Sequence, residues 1–321
     1  MKEEKQIDFN VLILATMSAG KTSFINALIG HEILYTANEA TTSCITSIKY
    51  CRKTYPFSGA AYSYSGKEEF KSNNVSLQTF QEWNANSNVK SITISGRFNT
   101  KSKSLPGLIL HDTPGPNNSQ NTQHANLTEE AISKIPFDCI CYLLNASQLA
   151  TNDDKELLQQ ISLHLKNKPE NPIYFILNKV DLLDHEKGEG IQEYTLKANQ
   201  YLEGIGFKNP IIIPTMANAA LYSRKALNNE KLTRSQSLKL KIASSDIDYY
   251  KKEIINATKH SGDIHKAIKK SLSRLEKLQW LSPPIFRLKE KNIYRQLIEL
   301  SGIKTIEMIL KKQQNKKYNN K

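Results

Sequence analysis

The chain has 321 residues, of which 39% are apolar, which is enough to bury the core of one large domain or two modest ones. The N-terminal segment MKEEKQID mixes both charges, and the apolar runs elsewhere are far shorter than the ~20 residues that span a bilayer. A secretory leader and a membrane-spanning helix are therefore not predicted. We expect a globular cytoplasmic protein that meets a membrane only peripherally, at its inner surface.

The net charge of +13 is concentrated in the last third of the chain. Residues 231–321 carry 22 Lys and Arg against 8 Asp and Glu, a net +14, whereas residues 1–230 carry 22 against 23, a net −1. A basic segment of this kind suits anionic lipid, nucleic acid or another protein. It lacks the interleaved aromatic side chains of a base-stacking surface, so nucleic acid is the less favoured partner.

A buried strand, a short polar loop and a helix follow one another across residues 10–30. Gly20, Lys21 and Thr22 end a G-x-x-x-x-G-K-[ST] pattern in which Ala15 replaces the first glycine. A loop of this kind wraps backbone N–H groups around a phosphate at the positive end of a helix. The lysine can reach the outer phosphates, and the threonine hydroxyl suits Mg²⁺. The segment therefore predicts a nucleotide phosphate site.

A polar loop passes into a β-branched strand across residues 39–50. A nucleotide switch needs a hydroxyl and a backbone carbonyl that arrive from such a loop to meet Mg²⁺ and the attacking water. We favour Thr42 over Thr41 for this role. The alternative is that both are ordinary strand residues.

The short apolar strand at residues 108–111 ends in the sequence Asp-Thr-Pro-Gly. Asp112 at the strand end can hold the Mg²⁺ shell through water, and Gly115 allows a backbone N–H group to approach the γ-phosphate. His111 adjoins this motif, but we interpret it as a strand residue rather than as a catalyst.

A third apolar strand, at residues 172–177, ends in Asn178-Lys179-Val180-Asp181. Strands that alternate with helices in this way predict an α/β fold with a parallel sheet, and ligands bind at the carboxyl ends of such strands. A carboxylate at that edge can accept two hydrogen bonds from the ring N–H and amino groups of guanine. Adenine does not offer this arrangement, so the motif predicts GTP and GDP rather than ATP as ligands.

The remaining segments give an outline of the domains. We expect one domain at residues 1–227, in which residues 51–104 form an insertion with an extra hairpin, a helix at 77–83 and a strand at 89–98. Residues 228–284 are predicted to be a polar, basic helical linker or insertion. Residues 285–321 are predicted to form a closing helix and a basic tail, with an apolar helical stripe across residues 293–310.

The motif order and the segment MSAGKTSFINALIG resemble the dynamin-like large GTPases, especially the bacterial branch that includes the CrfC-type proteins. The resemblance covers most of residues 8–227. Ser18 matches the serine of the family's phosphate loop, Thr42 its switch threonine, and residues 112–117 and 178–181 its later motifs. The family's P-V-S-A guanine loop is replaced by Pro-Thr-Met-Ala at residues 214–217. The resemblance implies a P-loop NTPase G domain of three layers with a mainly parallel central sheet, followed by a basic helical segment.

The patterns and the resemblance together define the expected site. The resemblance implies that Ser18 stabilises charge in the transition state and that the Thr42 region positions water, because Pro116 stands where small Ras-type switches have glutamine. The expected catalytic residues are Ser18, Lys21 and Thr42, and the expected Mg²⁺ ligands are Thr22, Thr42 and Asp112. The expected nucleotide-binding residues are Ala15, Met17, Ser18, Ala19, Gly20, Lys21, Thr22, Ser23, Asp112, Gly115, Asn178, Lys179, Asp181, Met216 and Ala217.

Three functions remain open at this point. The first is a GTP-hydrolysing dynamin-like enzyme, activated when two G domains meet across their nucleotide faces or by a separately encoded partner that bears the stalk. The second is a GTP-dependent binding switch with negligible turnover, and the third is a nucleic-acid or ribosome-associated GTPase. We expect a helical or dynamin-like protein partner on the stripe at residues 293–310, since that apolar face would otherwise be exposed.

Overall fold

The computed structural model describes residues 7–35, 44–52, 54–98, 106–114, 122–166, 171–259, 262–280 and 286–319. The strands are β1 (Phe9–Ala15), β2 (Ile45–Tyr50), β3 (Ser58–Ser63), β4 (Glu68–Ser72), β5 (Val89–Gly96), β6 (Leu108–Asp112), β7 (Cys139–Asn145), β8 (Ile173–Asn178) and β9 (Ile212–Thr215). The helices are α1 (Lys21–Ile29), α2 (Leu77–Ala85), α3 (Thr122–Lys134), α4 (Asn152–Lys166), α5 (Ile191–Ile205), α6 (Ala217–Leu227), α7 (Arg234–Ser245), α8 (Ile247–Ala257), α9 (Gly262–Trp280), α10 (Phe286–Leu300) and α11 (Ile303–Asn319).

The strands form one sheet in the order β4-β3-β5-β2-β6-β1-β7-β8-β9. The run from β6 to β9 is parallel throughout, and β2 joins it antiparallel to β6. Each residue of β7 is buried, as is typical of a parallel strand covered on both faces, which explains its continuous apolar sequence. The predicted α/β class with a mainly parallel sheet is confirmed.

The helices around this sheet pack against one another as well as against the strands. α1 packs against α6 and α11, and α6 packs against α10, whereas α4 packs against both α3 and α5. The strands β1, β6, β7, β8 and β9 run in the same direction, so their carboxyl ends all lie at one edge of the sheet. The loops that carry the motifs leave from this edge.

The strands of the predicted insertion, β3, β4 and β5, extend the main sheet at one side. β5 pairs with β2 in parallel, β3 pairs with β5 antiparallel, and the hairpin partner β4 lies at the edge. Four of the five residues of β4 are exposed and three of its five are charged, which discourages pairing with a further strand. The predicted hairpin is therefore a continuation of the central sheet, and α2 lies between its strands and β5 in the chain.

The helices beyond residue 227 share the core of the sheet domain. α7, α8 and α9 pack against α6, α5 and α10, and they contribute buried apolar side chains to one continuous core. These buried residues include Leu240, Ala243, Tyr250, Ile254 and Ile268. The segment predicted as a linker is thus helical and packed. None of the helices in the described ranges combines the length and apolarity needed to span a bilayer.

The expectation that the apolar stripe at residues 293–310 stays exposed for a partner helix is wrong. The stripe packs within the chain, because α10 covers α6 while α11 covers α1 and β9. The turn between them approaches β9 so closely that a Cβ atom at Gly302 would lie 2.4 Å from the Pro214 carbonyl oxygen. The side chains at most 1% exposed are Leu297, Leu300, Ile303, Ile306 and Leu310.

The end of α11 is attached to the amino ends of the central strands. The Lys317 ammonium donates to the Asp138 carboxylate at 2.8 Å and to the Asp8 carbonyl at 2.8 Å. The Tyr318 hydroxyl accepts a hydrogen bond from the Ile7 N–H at 3.2 Å. These contacts place the C-terminal helix against the edge of the sheet opposite to the motif loops.

A buried ion pair connects three helices of this structure. The Arg224 guanidinium of α6 contacts the Ala27 carbonyl of α1 and lies 2.5 Å from the Glu307 carboxylate of α11. Both side chains of the pair are less than 10% exposed. Because a charge buried without its partner is costly, this pair holds α6, α1 and α11 in one arrangement.

We expect Arg224→Met to lower the free energy of unfolding by about 3–5 kcal/mol, because Glu307 would keep a buried charge without a partner. The double variant Arg224→Met/Glu307→Leu should recover part of this loss, since neither charge then remains. Urea unfolding measures both values. The control is Lys197→Met, which breaks an exposed pair with Glu193 and should leave unfolding unchanged. A loss at Arg224 as small as that of the control would contradict the prediction.

Candidate functional site

The loop between β1 and α1 has the backbone geometry of a phosphate-binding loop. Gly20 caps the N-terminus of α1 with φ 85°, and Ser18 also has a positive φ of 62°. A Cβ atom at Gly20 would lie 2.6 Å from the Asn178 side-chain nitrogen, so only glycine permits this close approach. The N-terminus of α1 therefore opens towards the carboxyl edge of the sheet, where an anion is favoured.

The carbonyl groups of this loop are held by polar side chains at the ends of neighbouring strands. The Asn178 amide donates to the Ala19 carbonyl at 2.9 Å, and the Asn145 amide donates to the Ser18 carbonyl at 3.3 Å. The Lys179 ammonium also donates to the Ser18 carbonyl, at 2.5 Å. Because these side chains hold the carbonyl groups of Ser18 and Ala19, the N–H groups of the loop are left to bind a phosphate.

A buried carboxylate supports the first residue of the loop. Asp154 of α4 accepts hydrogen bonds from the hydroxyls of Thr16 at 2.9 Å, Tyr142 at 2.8 Å and Thr151 at 3.1 Å. Burial raises the pKa of Asp154, while the three hydroxyl donors oppose that rise. Burial likewise holds the pKa of Tyr142 well above its ordinary value, so this phenol stays a donor.

The sequence analysis missed both Asn145 and Asp154. Asn145 could have been found, because it ends the apolar strand β7 in the same register as Asn178 on β8 and Thr215 on β9. A polar residue that ends each buried strand is a usable signal for this edge. Asp154 had no such signal, since a helix that begins with two carboxylates is common on solvent-exposed helices.

The predicted phosphate and metal residues meet beneath the loop. The Lys21 ammonium lies 3.0 Å from the Asp112 carboxylate, and both side chains are buried. Thr22, the second residue of α1, is also buried. Mg²⁺ usually takes one or two protein oxygens and completes its shell with water and phosphate oxygens. The donor set of Asp112 and Thr22 therefore fits Mg²⁺, although the described residues contain no cluster of three or more His, Cys, Asp or Glu side chains.

Two predicted site residues, Thr42 and Gly115, lie outside the described residues, as does Pro116. Their roles therefore rest on the motifs alone.

A cavity of about 450 Å³ adjoins the phosphate loop on the side of β8. Asp181 follows β8 on a short 3-10 turn (Val180–Leu182) and faces this cavity. Burial raises the pKa of Asp181 to about 6, an effect that the nearby charges of Lys239 and Lys179 oppose. The lining residues are Ser18, Gly20, Ser23, Lys179, Asp181, Leu182, Asn218, Tyr222, Lys239, Ile242, Ala243 and Tyr250.

Four of the predicted nucleotide-binding residues, Met216, Ala217, Ala15 and Met17, do not line this cavity. Met216 is fully buried and does not line it, because its backbone N–H donates to the Ser301 carbonyl at 2.9 Å and its side chain packs inwards. The Ala217 N–H donates to the Asn178 side-chain oxygen at 3.3 Å, and Asn218, in the first turn of α6, lines the cavity. Ala15 ends β1 in the core, whereas Met17 is exposed at the tip of the phosphate loop.

His111 is held inside the sheet and takes no place in this cavity. Its Nδ1 lies 2.9 Å from the Ser47 hydroxyl, and its Nε2 lies 3.0 Å from the Asn10 amide oxygen. Burial lowers the pKa of His111 to about 4, so the ring is neutral near pH 7. This placement favours the interpretation of His111 as a strand residue.

The fold and the site together define a class of protein. A phosphate loop between β1 and α1, a strand-end Asp112 beside Lys21, and Asn178 against the loop are the parts of a P-loop G domain. The sequence profile of the dynamin family matches residues 11–180, which is more than half of the chain. The chain therefore belongs to the dynamin family, and it carries that family's GTP-binding G domain.

The chain is also similar to individual proteins. A protein of Caldicellulosiruptor sp. (strain Rt8B.4), described as an uncharacterized protein in the xynA 3′ region, is 25% identical over 229 residues, which are 71% of this chain and 53% of the relative. A solved structure is described as an oligomerised bacterial dynamin pair that provides a mechanism for long range sensing and tethering of membranes. It is 19% identical with a TM-score of 0.51, over 86% of this chain and 45% of that chain. A second structure described in the same way is 17% identical with a TM-score of 0.49, over 87% and 46%.

The chain thus spans about half the length of the relatives that it matches. The similarity to the first dynamin structure shows a shared fold, and it confirms the predicted P-loop G domain.

We expect Asp154→Asn to weaken GDP binding about three- to tenfold, because the Thr16 end of the loop loses a carboxylate that three hydroxyls share. Calorimetry measures the affinity, and urea unfolding should show a loss of about 1–3 kcal/mol. The matched control is Asp153→Asn on the exposed side of the same turn, which should change neither value. GDP affinity within twofold of wild type in Asp154→Asn would show that the carboxylate does not support the loop.

Proposed function

We propose that this protein binds GTP and GDP together with Mg²⁺ and hydrolyses GTP to GDP and phosphate. The observation that carries the proposal is the geometry after β8, where Asn178 bonds to the phosphate loop and Asp181 lines the adjoining cavity. A carboxylate in that position can accept hydrogen bonds from the ring N–H and the amino group of guanine. Adenine lacks this pair of donors, so the cavity suits guanine nucleotides.

The proposed roles at the phosphates follow from the buried pair of Lys21 and Asp112. Lys21 binds the outer phosphates, and Thr22, Thr42 and Asp112 hold Mg²⁺ directly or through water. The chemistry that Mg²⁺ supplies when bound is neutralisation of the charge on the β- and γ-phosphates. The backbone N–H of Gly115 approaches the γ-phosphate, a role that rests on its motif.

Ser18 is proposed to stabilise charge in the transition state, while the Thr42 region positions the attacking water. The Ser18 carbonyl is fixed by Asn145 and Lys179, and its side chain is exposed beside the cavity. Because the Ser18 backbone is fixed in this way, its hydroxyl can donate a hydrogen bond to the transition state with little reorganisation of the loop.

We further propose that a second G domain completes this site across the nucleotide face. Two large apolar side chains that line the cavity are about half exposed, Leu182 at 57% and Ile242 at 51%. Met17, which precedes the cavity-lining Ser18 in the phosphate loop, is 49% exposed. Apolar side chains grouped at a cleft are typical of a surface that another protein covers. The structural relative is described as an oligomerised dynamin pair, which supports a partner of the same kind.

The proposed partners are therefore a second copy of this chain and a separately encoded, stalk-bearing dynamin-like chain. We place the protein in the cytoplasm, peripheral to an anionic membrane surface, since the structural relative is described as sensing and tethering membranes. Nucleic acid fits less well, because several lysines of the basic C-terminal third lie in ion pairs within the chain. Examples are Lys304 with Glu299 and Lys317 with Asp138.

We expect wild-type protein to bind GTP and GDP on the order of 100-fold more tightly than ATP. With adenine in the cavity, the Asp181 carboxylate would have no pair of hydrogen-bond donors to accept from. Asp181→Asn reverses the hydrogen-bond sense at the base and should shift the preference towards xanthine nucleotides. Calorimetry with each nucleotide measures both effects. Asp184→Asn is the matched control, because Asp184 caps the next turn outside the cavity. Comparable affinities for ATP and GTP would remove the guanine assignment.

We expect Lys21→Ala to abolish nucleotide binding and Ser18→Ala to keep binding while losing on the order of 100-fold in turnover. Steady-state hydrolysis over a range of protein concentrations tests this, and specific activity should rise with concentration if a dimer completes the site. Ser133→Ala, an exposed serine of α3, is the matched control.

Each alternative has its own result in that experiment. Equal loss of binding and turnover in Ser18→Ala would make Ser18 structural. A specific activity that is independent of concentration would contradict the dimer. Guanine binding without turnover in wild type would leave a GTP-dependent binding switch.

A further inference from the structure

Part of the wall of the base cavity comes from helices that follow the G-domain motifs. Lys239, Ile242 and Ala243 of α7 and Tyr250 of α8 line the same cavity as Asp181, although they lie about 60 residues further along the chain. None of the nucleotide motifs in the sequence includes these positions. The cavity is therefore incomplete without the segment that composition alone marks as a basic linker.

α7 is fixed in this position by its own contacts. Its N-terminus has a capping box in which Thr233 and Gln236 satisfy each other's backbone N–H groups. Gln236 also accepts a hydrogen bond from Lys225 of α6 at 3.2 Å and donates to Glu32 at 3.4 Å. Leu240 is 2% exposed, and α7 packs against α6, α8 and α10. This part of the cavity wall is therefore a helix that is packed against the rest of the domain.

Four groups from four elements face the Asp181 carboxylate. Lys179 precedes its turn, Tyr222 lies on α6, Lys239 lies on α7 and Tyr250 lies on α8. The two lysines favour the negative charge of Asp181. Burial raises the pKa of both tyrosines, and the negative charge of Asp181 adds to that rise. Lys179 is already engaged with the Ser18 carbonyl, so Lys239 is the cation whose side chain is left for the base side of the cavity.

We propose that α7 supplies two residues of the guanine subsite: Lys239, which maintains the negative charge through which Asp181 accepts hydrogen bonds from the base, and Ile242, which contacts the base. This inference rests on the proposed function, because it assigns further residues to the same site. Lys239 is a positioning residue in this scheme, and Ile242 is a binding residue that offers an apolar surface to a flat purine.

The proposal predicts a pH dependence with a definite sign. A protonated Asp181 has one donor in place of an acceptor, so guanine binding requires the carboxylate form. Because the pKa of Asp181 is raised to about 6, GDP affinity should be full well above pH 6 and should fall as the pH drops below it. Removing the Lys239 charge favours protonation, so the fall should begin at a higher pH.

The test is calorimetric GDP binding from pH 5 to pH 8 by wild type, Lys239→Met and Ile242→Ala. Lys239→Met should bind roughly two- to fivefold more weakly than wild type near pH 6 and should approach wild type at pH 8. The phosphates of GDP titrate in the same range, but they do so identically for every variant, so the difference between curves reports the protein. Lys241→Met, which removes an exposed lysine of the same helix outside the cavity, should follow the wild-type curve.

Ile242→Ala should weaken GDP binding roughly threefold at every pH, since it removes contact area without changing a charge. A uniform loss across the pH range in Lys239→Met, or a curve that overlays Lys241→Met, would overturn the role of Lys239. Unchanged affinity in Ile242→Ala would remove Ile242 from the subsite. ADP binding by wild type separates the two proposals: equal affinity for ADP and GDP means that the guanine function fails, whereas a kept preference with unaltered variants means that only the α7 inference fails.

Discussion

The side-chain amide of Asn178 is the interaction on which the nucleotide face depends. Its nitrogen donates to the Ala19 carbonyl at 2.9 Å, and its oxygen accepts the Ala217 N–H at 3.3 Å. One buried amide therefore joins the phosphate loop, the end of β8 and the start of α6, and such a group is costly to leave unpaired. The contact is possible only because Gly20 has no Cβ atom, which would lie 2.6 Å from that nitrogen. The phosphate loop and the start of α6, next to the proposed base site, thus have this support in common.

The C-terminal helices contact the region around Asn178 on two sides. The Met216 N–H, one residue before α6, donates to the Ser301 carbonyl between α10 and α11, and Gly302 lies against the end of β9. From the other side, α7 forms part of the wall of the base cavity. Asp181, which we propose to bind the base, lines the same cavity as α7 and α8, so these described helices beyond residue 227 are part of the proposed nucleotide site.

The strand-end positions of Asp112 and Asn178 follow from the sequence, whereas the side chains that support the site do not, for a physical reason. Asp112 and Asn178 end apolar strands, and the alternation of strands with helices places such ends at one edge, so their meeting follows from the pattern. Asp154 and Lys239 reach the site from the first turn of α4 and from the middle of α7, where charged residues usually face solvent. The stripe at residues 293–310 was interpreted as exposed because periodicity identifies an apolar face but not the surface that covers it.

The position of α11 explains how one helix can serve both edges of the sheet. Its 17 residues extend about 25 Å at 1.5 Å per residue, close to the length of β1 at about 3.3 Å for each of its seven residues. One end follows the turn that supports Met216, and the other end holds Asp8 and Asp138 through Lys317. The apolar face between these ends is buried in the core of the domain. α11 therefore connects the turn beside Met216 with the amino ends of β1 and β7 through one continuous packed helix.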